Sequence, residues 1–390
     1  MPRRVPPLVP RMAEHSTSVF AEMSTLALAV GAVNLGQGFP DADGPQELKD
    51  VAIAAIEDGR GNQYPPPHGL PLLREAIAAH QQRFYGLKVD PGLEVVVGTG
   101  ASEVIQSTLM ALIDDGDEVI VFEPWFDIYA AGISLARGRR VGVPMAGPDL
   151  RPDLDALRRA VTPRTRMILL NSPHNPTGVV FTPEELAEVA AIAIDNDLLV
   201  LSDEAYEHLW FDSHRHVPIA TLPGMWERTV TVGSGGKTFS FTGWKVGWAT
   251  GPADLLGAVR VVRQHLSYVS GGPFQYAMAH GLGLPDDYFT SFRADLAAKR
   301  DLLAAGLSSL GMRVLPTQGT YFITTDITPL GFADGLAFCR ELPGRAGVVA
   351  IPHQAFCDDV EVGAPYVRWA FCKQPAVLEE ALNRLAAGLR

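Results

Sequence analysis

Apolar residues along this chain come in short runs that end on a polar or glycine-rich turn, each followed by a stretch with helical spacing. Leu93-Glu-Val-Val-Val97 leads into Gly98-Thr-Gly100-Ala101-Ser102, and a helix-like stretch then runs to Leu112. Glu118-Val-Ile-Val-Phe122 ends at Glu123-Pro124, Met167-Ile-Leu-Leu170 at Asn171, and Leu198-Leu-Val-Leu201 at Ser202-Asp203. Short apolar runs bounded by turn residues read as buried strands. Thr182-Pro183-Glu184-Glu185 carries a helix-start signature: a hydroxyl cap, Pro at the first helical position and Glu at the third. Leu186, Val189 and Ala193 give that helix an apolar face. Strands alternating with helices predict an α/β fold with a mainly parallel sheet sandwiched by helices.

The last hundred residues change rhythm. Phe292, Leu296, Leu303, Leu307 and Leu310 mark a long amphipathic helix. Strands are expected at Tyr321–Ile323, Val348–Ile351 and Tyr366–Phe371. In the last of these Val367, Trp369 and Phe371 share one face, so Arg368 takes the other. A large domain is expected over 46–290 and a smaller α+β domain over 291–390, with segment 1–45 joining the smaller one.

Composition narrows the class. A chain of 390 residues with 47% hydrophobic and 19% charged content has enough apolar sequence for an ample core and is too apolar for disorder. A net charge of −12 without any Lys/Arg cluster argues against nucleic acid as a partner. No run reaches ~18 apolar residues, so no membrane span is expected. Met1-Pro-Arg-Arg-Val-Pro-Pro7 has basic residues but no apolar region after them, so it reads as neither a signal peptide nor an anchor. Cys339, Cys357 and Cys372 lack metal-type spacing and predict reduced thiols in a cytoplasmic protein. His208, His214 and His216 have no carboxylate or Cys at ligand spacing. They read as an exposed His-rich loop, and no metal is expected.

The chemistry concentrates in Ser234-Gly-Gly-Lys237-Thr-Phe-Ser-Phe-Thr-Gly243-Trp244-Lys245-Val-Gly247-Trp248, directly after the strand-like run Arg228-Thr-Val-Thr-Val232. An amine on a glycine-rich loop can form a Schiff base with an aldehyde. A hydroxyl three residues earlier and a second cation eight residues later could hold that aldehyde's phosphate. Ser234-x-x-Lys237 also matches the Ser-x-x-Lys of penicillin-binding proteins, with Ser202-Asp203-Glu204 in place of their Ser-Asp-Asn. Here, however, the order of the elements is reversed, and the third reads Lys237-Thr238-Phe239 rather than Lys-Thr-Gly. Polar residues that end parallel strands gather at one edge of the sheet, where ligands bind. That edge is expected to collect Gly100, Ala101, Ser102, Phe126, Asn171, Asn175, Asp203, Tyr206, Ser234, Lys237 and Lys245.

Several motifs stand in a shared order from near Val30 to Arg368. They are Asn34-Leu-Gly-Gln-Gly-Phe-Pro-Asp41, Asn62-Gln-Tyr64, Glu123-Pro-Trp-Phe126-Asp127, Asn171-Ser-Pro-His-Asn175-Pro-Thr-Gly178, Ser202-Asp-Glu-Ala-Tyr206, the lysine run and Gly319-Thr-Tyr-Phe322. Together they resemble the class I aminotransferases, fold-type I enzymes dependent on pyridoxal 5'-phosphate (PLP), and within them the kynurenine/glutamine transaminase-like branch. The resemblance implies that Lys237 holds the cofactor as a Schiff base and then moves the proton from the substrate Cα. Asp203 would pair with the pyridinium nitrogen, Asn175 and Tyr206 with the phenolic oxygen, and Phe126 would stack on the ring. Backbone N–H groups of Ala101 and Ser102, with Ser234 and Lys245, would cup the phosphate, and Asn171 would join the cofactor contacts. Arg368 would clamp the substrate α-carboxylate, assisted by Gly36 and Asn175. Tyr64 would reach the cofactor of a neighbouring subunit, which implies a homodimer.

The segment that walls the substrate pocket in kynurenine-type members carries an aromatic and a histidine. Here it reads Tyr268-Val-Ser270-Gly271-Gly272-Pro273. With Asn62-Gln-Tyr-Pro-Pro66 and Ala160-Val-Thr-Pro-Arg-Thr-Arg166, this departure is similar to the actinobacterial N-succinyldiaminopimelate aminotransferases. The expected activity is amino transfer between an L-amino acid and a 2-oxo acid, with 2-oxoglutarate/glutamate as the common pair. Kynurenine, glutamine or methionine transamination and β-lyase action on cysteine conjugates remain alternatives. A PLP-binding regulator is a further one, disfavoured because no helix-turn-helix segment precedes the motifs.

Overall fold

Strand alternation explains why helices cover both faces of the central sheet. Val119 and Val121 pack into one apolar cluster while Ile120 and Phe122 pack into another; Met167 and Leu169 divide from Ile168 and Leu170 in the same way. The first face is covered by helices Gly100–Leu112, Asp127–Leu135 and Ala253–Leu266. Helix Pro183–Asp195 covers part of the second through Leu186, Val189 and Ala193. Helices Pro71–Tyr85 and Gly272–Leu282 complete that side against Val95 and Val97. The computed structural model describes residues 8–16 and 18–389. The N-terminal run read for targeting, Met1 to Pro7, therefore lies outside the described residues.

The eight-stranded sheet runs in the order Val95–Thr99, Val246–Thr250, Thr229–Ser234, Leu199–Asp203, Thr165–Asn171, Glu118–Glu123, Arg139–Ala146, Arg151–Pro152. The pairings from Thr229–Ser234 through Arg139–Ala146 are all parallel, and Val246–Thr250 is antiparallel to both its neighbours. The mainly parallel α/β architecture expected from the chain's rhythm is what forms. The capping box at Thr182 is present in full, with the Glu185 backbone N–H donating to the Thr182 hydroxyl and the Thr182 N–H donating to the Glu185 carboxylate.

The C-terminal part builds a four-stranded antiparallel sheet around Phe322–Asp326 and Tyr366–Ala370. The run Val348–Ile351 is not the single strand its composition predicts. Val348–Val349 pairs in parallel with Val33–Asn34, whereas Ile351–Pro352 pairs with Tyr366–Ala370. Four apolar residues in a row carry no mark of where a strand changes partner, so only the packing decides it. The pairing of Val33–Asn34 also draws the N-terminal segment onto the C-terminal part. Among the described residues no helix is long and apolar enough to cross a membrane.

Candidate active site

The carboxyl ends of the parallel strands meet at a cavity of about 380 Å³. Ala101, Ser102, Phe126, Asn171, Asn175, Asp203, Tyr206, Ser234, Lys237, Lys245 and Arg368 all line it. Gly36 stands behind, its carbonyl accepting from Arg368. Only Tyr64 is placed apart: it is 80% exposed and meets the ring of Tyr268 edge-on at 5.6 Å.

Lys237 sits in the four-residue helix Gly235–Thr238 that follows strand Thr229–Ser234 without a linker. The two glycines before it are required by packing. A Cβ on Gly235 would lie 2.5 Å from Met278 Sδ, and one on Gly236 would lie 3.0 Å from Thr242 Cα. Among the described residues Lys237 has no carboxylate within ion-pair distance. Its Nζ donates to the Tyr321 hydroxyl at 2.9 Å and to the Gly38 carbonyl at 3.4 Å. Burial brings this amine down to about 8, because a low-dielectric wall disfavours the cation.

Asp203, at the end of its strand, is 4% exposed. Its Oδ2 accepts from the Tyr129 hydroxyl at 2.6 Å and its Oδ1 from the Ala205 N–H at 3.0 Å. Burial raises this carboxyl above its ordinary value, while the Tyr129 hydrogen bond pulls it back. Asn171 spends both ends of its amide on backbone: Nδ2 donates to the Asp203 carbonyl at 2.8 Å, and Oδ1 accepts from the Asn175 N–H at 2.8 Å. It thereby ties two strand ends together.

Arg368 is 2% exposed. Its guanidinium donates to Asn175 Oδ1 at 2.9 Å and to the Gly36 carbonyl at 2.7 Å, and lies 4.0 Å above the Phe322 ring. No carboxylate of the described residues pairs with it, and its Nε has no partner. Burial lowers it to about 10, which leaves it charged at neutral pH. A buried guanidinium on a cavity wall, with no carboxylate of the described residues paired to it, is matched by an incoming carboxylate.

The opposite end of the cavity is electropositive by construction. Helix Gly100–Leu112 begins there with no side-chain cap, so its first N–H groups face the cavity with the positive end of the helix dipole. Gly100 has φ +76°, and a Cβ on it would lie 3.1 Å from Lys245 Nζ. A Cβ on Gly247 would come within 2.4 Å of the Ala101 nitrogen, so the strand presses directly on the helix start. Lys245 itself adopts φ +53°, a left-handed conformation that costs a non-glycine residue free energy. A cation held in a strained backbone at a helix N-terminus is doubly unfavourable by itself. A bound phosphate offsets both costs.

Tyr129 and Tyr321 are among the neighbours of this cavity that were not anticipated. Tyr129 lies three residues past Phe126 in helix Asp127–Leu135, one turn along the same face; that spacing is the signal that could have found it. Tyr321 belongs to a recognised motif, but its contact with Lys237 joins positions 84 residues apart, and no local pattern announces it.

The His-rich segment needs correction, because His208 and His216 are buried rather than exposed. His208 Nε2 lies 2.7 Å from His80 Nε2, His216 Nε2 lies 2.8 Å from Glu204, and the Tyr85 hydroxyl donates to Glu207 at 2.7 Å. Polar residues on this segment are interior because helix Pro71–Tyr85 supplies a polar partner to His208 and Glu207. These bonds brace the far side of the segment that carries Asp203 and Tyr206. Cys339 and Cys372 are buried free thiols, and Cys357 is half-buried.

Comparison with known proteins adds the following. The family model for aminotransferase class I and II matches residues 30–385. A probable N-succinyldiaminopimelate aminotransferase of Mycobacterium tuberculosis is 49% identical over 97% of this chain and 98% of that protein. A solved structure of the N-succinyldiaminopimelate aminotransferase from that organism superposes with a TM-score of 0.95, covering 97% of this chain and 99% of that one. The methionine aminotransferase of Escherichia coli is 36% identical over 97% of this chain and 98% of that protein. The kynurenine–oxoglutarate transaminase of Dictyostelium discoideum is 38% identical over 94% of this chain and 93% of that protein.

Proposed function

Because the chain belongs to the class I and II aminotransferases, we propose that its cavity holds pyridoxal 5'-phosphate and moves an amino group from a long-chain L-amino acid to 2-oxoglutarate. The observation that carries this reading is the convergence of Lys237, Asp203 and the unpaired Arg368 on one cavity whose far end is an uncapped helix start beside Lys245. When bound, the cofactor supplies an electron-withdrawing ring that makes the substrate Cα–H acidic enough to ionise.

The chain's own residues do the rest. Ser234, Lys245 and the N–H groups of Ala101 and Ser102 bind the phosphate. Asp203, held as an acceptor by Tyr129 and Ala205, keeps a proton on the ring nitrogen. Tyr206 and Asn175 donate to the phenolic oxygen, and Phe126 covers the ring. Asn171 acts one step back, by fixing Asp203 and Asn175. Arg368 orients the α-carboxylate with paired N–H bonds, while Gly36 and Asn175 hold the guanidinium flat. Lys237, an amine near 8 rather than above 10, takes and returns the Cα proton at neutral pH with a useful fraction unprotonated. Tyr64 serves the site of a second copy, so we assign a homodimer, and a cytoplasmic location. We divide the chain into a large unit over 46–290 and a small one over 291–390 joined by segment 1–45. The pairing of Val33–Asn34 with Val348–Val349 supports that last assignment.

The expected result for the cofactor is a yellow protein, with borohydride fixing the colour onto the peptide that contains Lys237. Label on a different lysine, or no uptake of pyridoxal phosphate, rejects the reading.

For the substrate we favour N-succinyldiaminopimelate. Support comes from the Mycobacterium tuberculosis relative; Ser270, Gly271 and Gly272 do not line this cavity, and we assign them to the substrate wall of the second copy's site. Methionine and kynurenine are second readings, supported by relatives at 36% and 38% identity. A panel of amino donors with 2-oxoglutarate decides among them, and pyruvate release reports any β-lyase activity. Gly271 is exposed, and a Cβ there meets only the Phe274 side chain, at 3.1 Å. Gly271→His therefore asks only the Phe274 side chain to give way. It is expected to lower kcat/KM for the succinylated donor by about tenfold more than for methionine, the scale of one lost pocket contact. Equal losses on all donors would place the side-chain pocket elsewhere.

A further inference from the structure

Of the two hydrogen-bond partners of Lys237, Gly38 lines the cavity and Tyr321 stands behind it. Tyr321 precedes strand Phe322–Asp326 and is 1% exposed. Its ring meets Tyr206 edge-on at 5.2 Å and Phe322 at 4.8 Å, and its carbonyl accepts from the Phe371 N–H at 2.9 Å. Packing on both sides therefore fixes where its hydroxyl points. That hydroxyl donates to the Gly38 carbonyl at 2.5 Å and accepts from Lys237 Nζ at 2.9 Å. A phenol has one proton to give. With that proton on the Gly38 carbonyl, a lone pair remains for Lys237.

We propose that Tyr321 is a positioning residue for the free amine of Lys237. With one N–H on the Tyr321 oxygen and a second on the Gly38 carbonyl at 3.4 Å, a tetrahedral nitrogen has a single position left, and that position turns to the cavity. In the neutral amine it is a lone pair; in the ammonium it is the third N–H. One proton can then be accepted from a substrate carbon and returned through the same position, with no other group consumed. The inference rests on the reading that Lys237 carries the cofactor.

Several ionisable groups face this amine besides Tyr321 and Tyr206. Cys372 stays neutral, because burial pushes its thiol up to about 11. Asp203 attracts the ammonium form, whereas Arg368 and Lys245 repel it. Against that background, an oxygen acceptor on the ammonium favours the charged form. Removing it must lower the amine further.

The variant that isolates the effect is Tyr321→Phe, which keeps the ring and deletes the oxygen. In the cofactor-free full-length chain, competitive labelling of Lys237 by acetic anhydride across pH, read by peptide mass spectrometry, gives the midpoint of the amine. That midpoint is expected about one pH unit lower in the variant than in the unaltered chain, the scale of one lost hydrogen bond to a charged group. In the holoenzyme kcat is expected to fall about tenfold, with KM for the donor unchanged within twofold. Fluorotyrosine at position 321 weakens the acceptor without changing shape, and is expected to move the midpoint the same way by less. An unmoved midpoint in both proteins, or a loss expressed only in KM, overturns the proposal. Borohydride label on a lysine other than Lys237 in the unaltered protein rejects the cofactor reading itself, which is a separate outcome.

Discussion

Asp203→Asn is expected to slow the first half-reaction by about 10²–10⁴-fold while the protein still takes up pyridoxal phosphate. The substitution is close to isosteric. The amide oxygen still accepts from the Ala205 N–H, and the amide NH₂ can donate to the Tyr129 oxygen, so both neighbours at 3.0 and 2.6 Å keep a partner. What disappears is the negative charge, in a place where 4% exposure leaves water little chance to replace it. The cofactor's ring nitrogen then loses the group that holds its proton. Single-turnover absorbance with a saturating donor separates this loss from binding. Tyr129→Phe provides the graded comparison: it removes one stabilising bond from the carboxylate and is expected to cost about tenfold. Rates near those of the unaltered protein for Asp203→Asn would reduce Asp203 to a cap on Ala205.

Arg368→Lys is expected to lower kcat/KM by about 30- to 150-fold, on the order of 2–3 kcal/mol, and by similar factors for every amino donor. Three features make the guanidinium hard to replace. It donates to Asn175 and Gly36 at once, its Cζ lies 4.0 Å above the Phe322 ring, and its Nε is buried without a partner. An ammonium on a shorter stem cannot keep both existing bonds and offer a parallel pair to a carboxylate. Cofactor affinity is expected to stay within about twofold, since the phosphate end of the cavity is held by other residues. Measuring kcat/KM for methionine, kynurenine and the succinylated donor in the same variant tests the assignment. A loss confined to one side chain would move Arg368 from the common carboxylate to a selectivity role.

Much of this protein is written in its local order. Parallel strands of four or five apolar residues, each ending on a polar residue, place Asn171, Asp203 and Ser234 at one sheet edge whatever the rest of the chain does, because side chains alternate and strand direction is shared. The capping box at Thr182 is likewise set by neighbours within a few residues. Those signals were sufficient for the fold class, and they named Asn171, Asp203, Ser234 and Lys237, which line the cavity from strand ends and the turn after one. The pairing of Arg368 with Gly36 and Asn175, the Tyr129 bond to Asp203 and the Tyr321 bond to Lys237 are of another kind. They join positions 74 to 332 residues apart, the Tyr129 bond through the packing of a helix on the central sheet and the others through the docking of the C-terminal sheet. The burial of His208 and His216, and the division of Val348–Ile351 between two sheets, were decided in the same way. A side chain's periodicity says which face it takes, but what meets that face is a property of the packed chain. Long-range burial sets the charge state of a lysine or a histidine, and it exists only once the tertiary structure has closed over them.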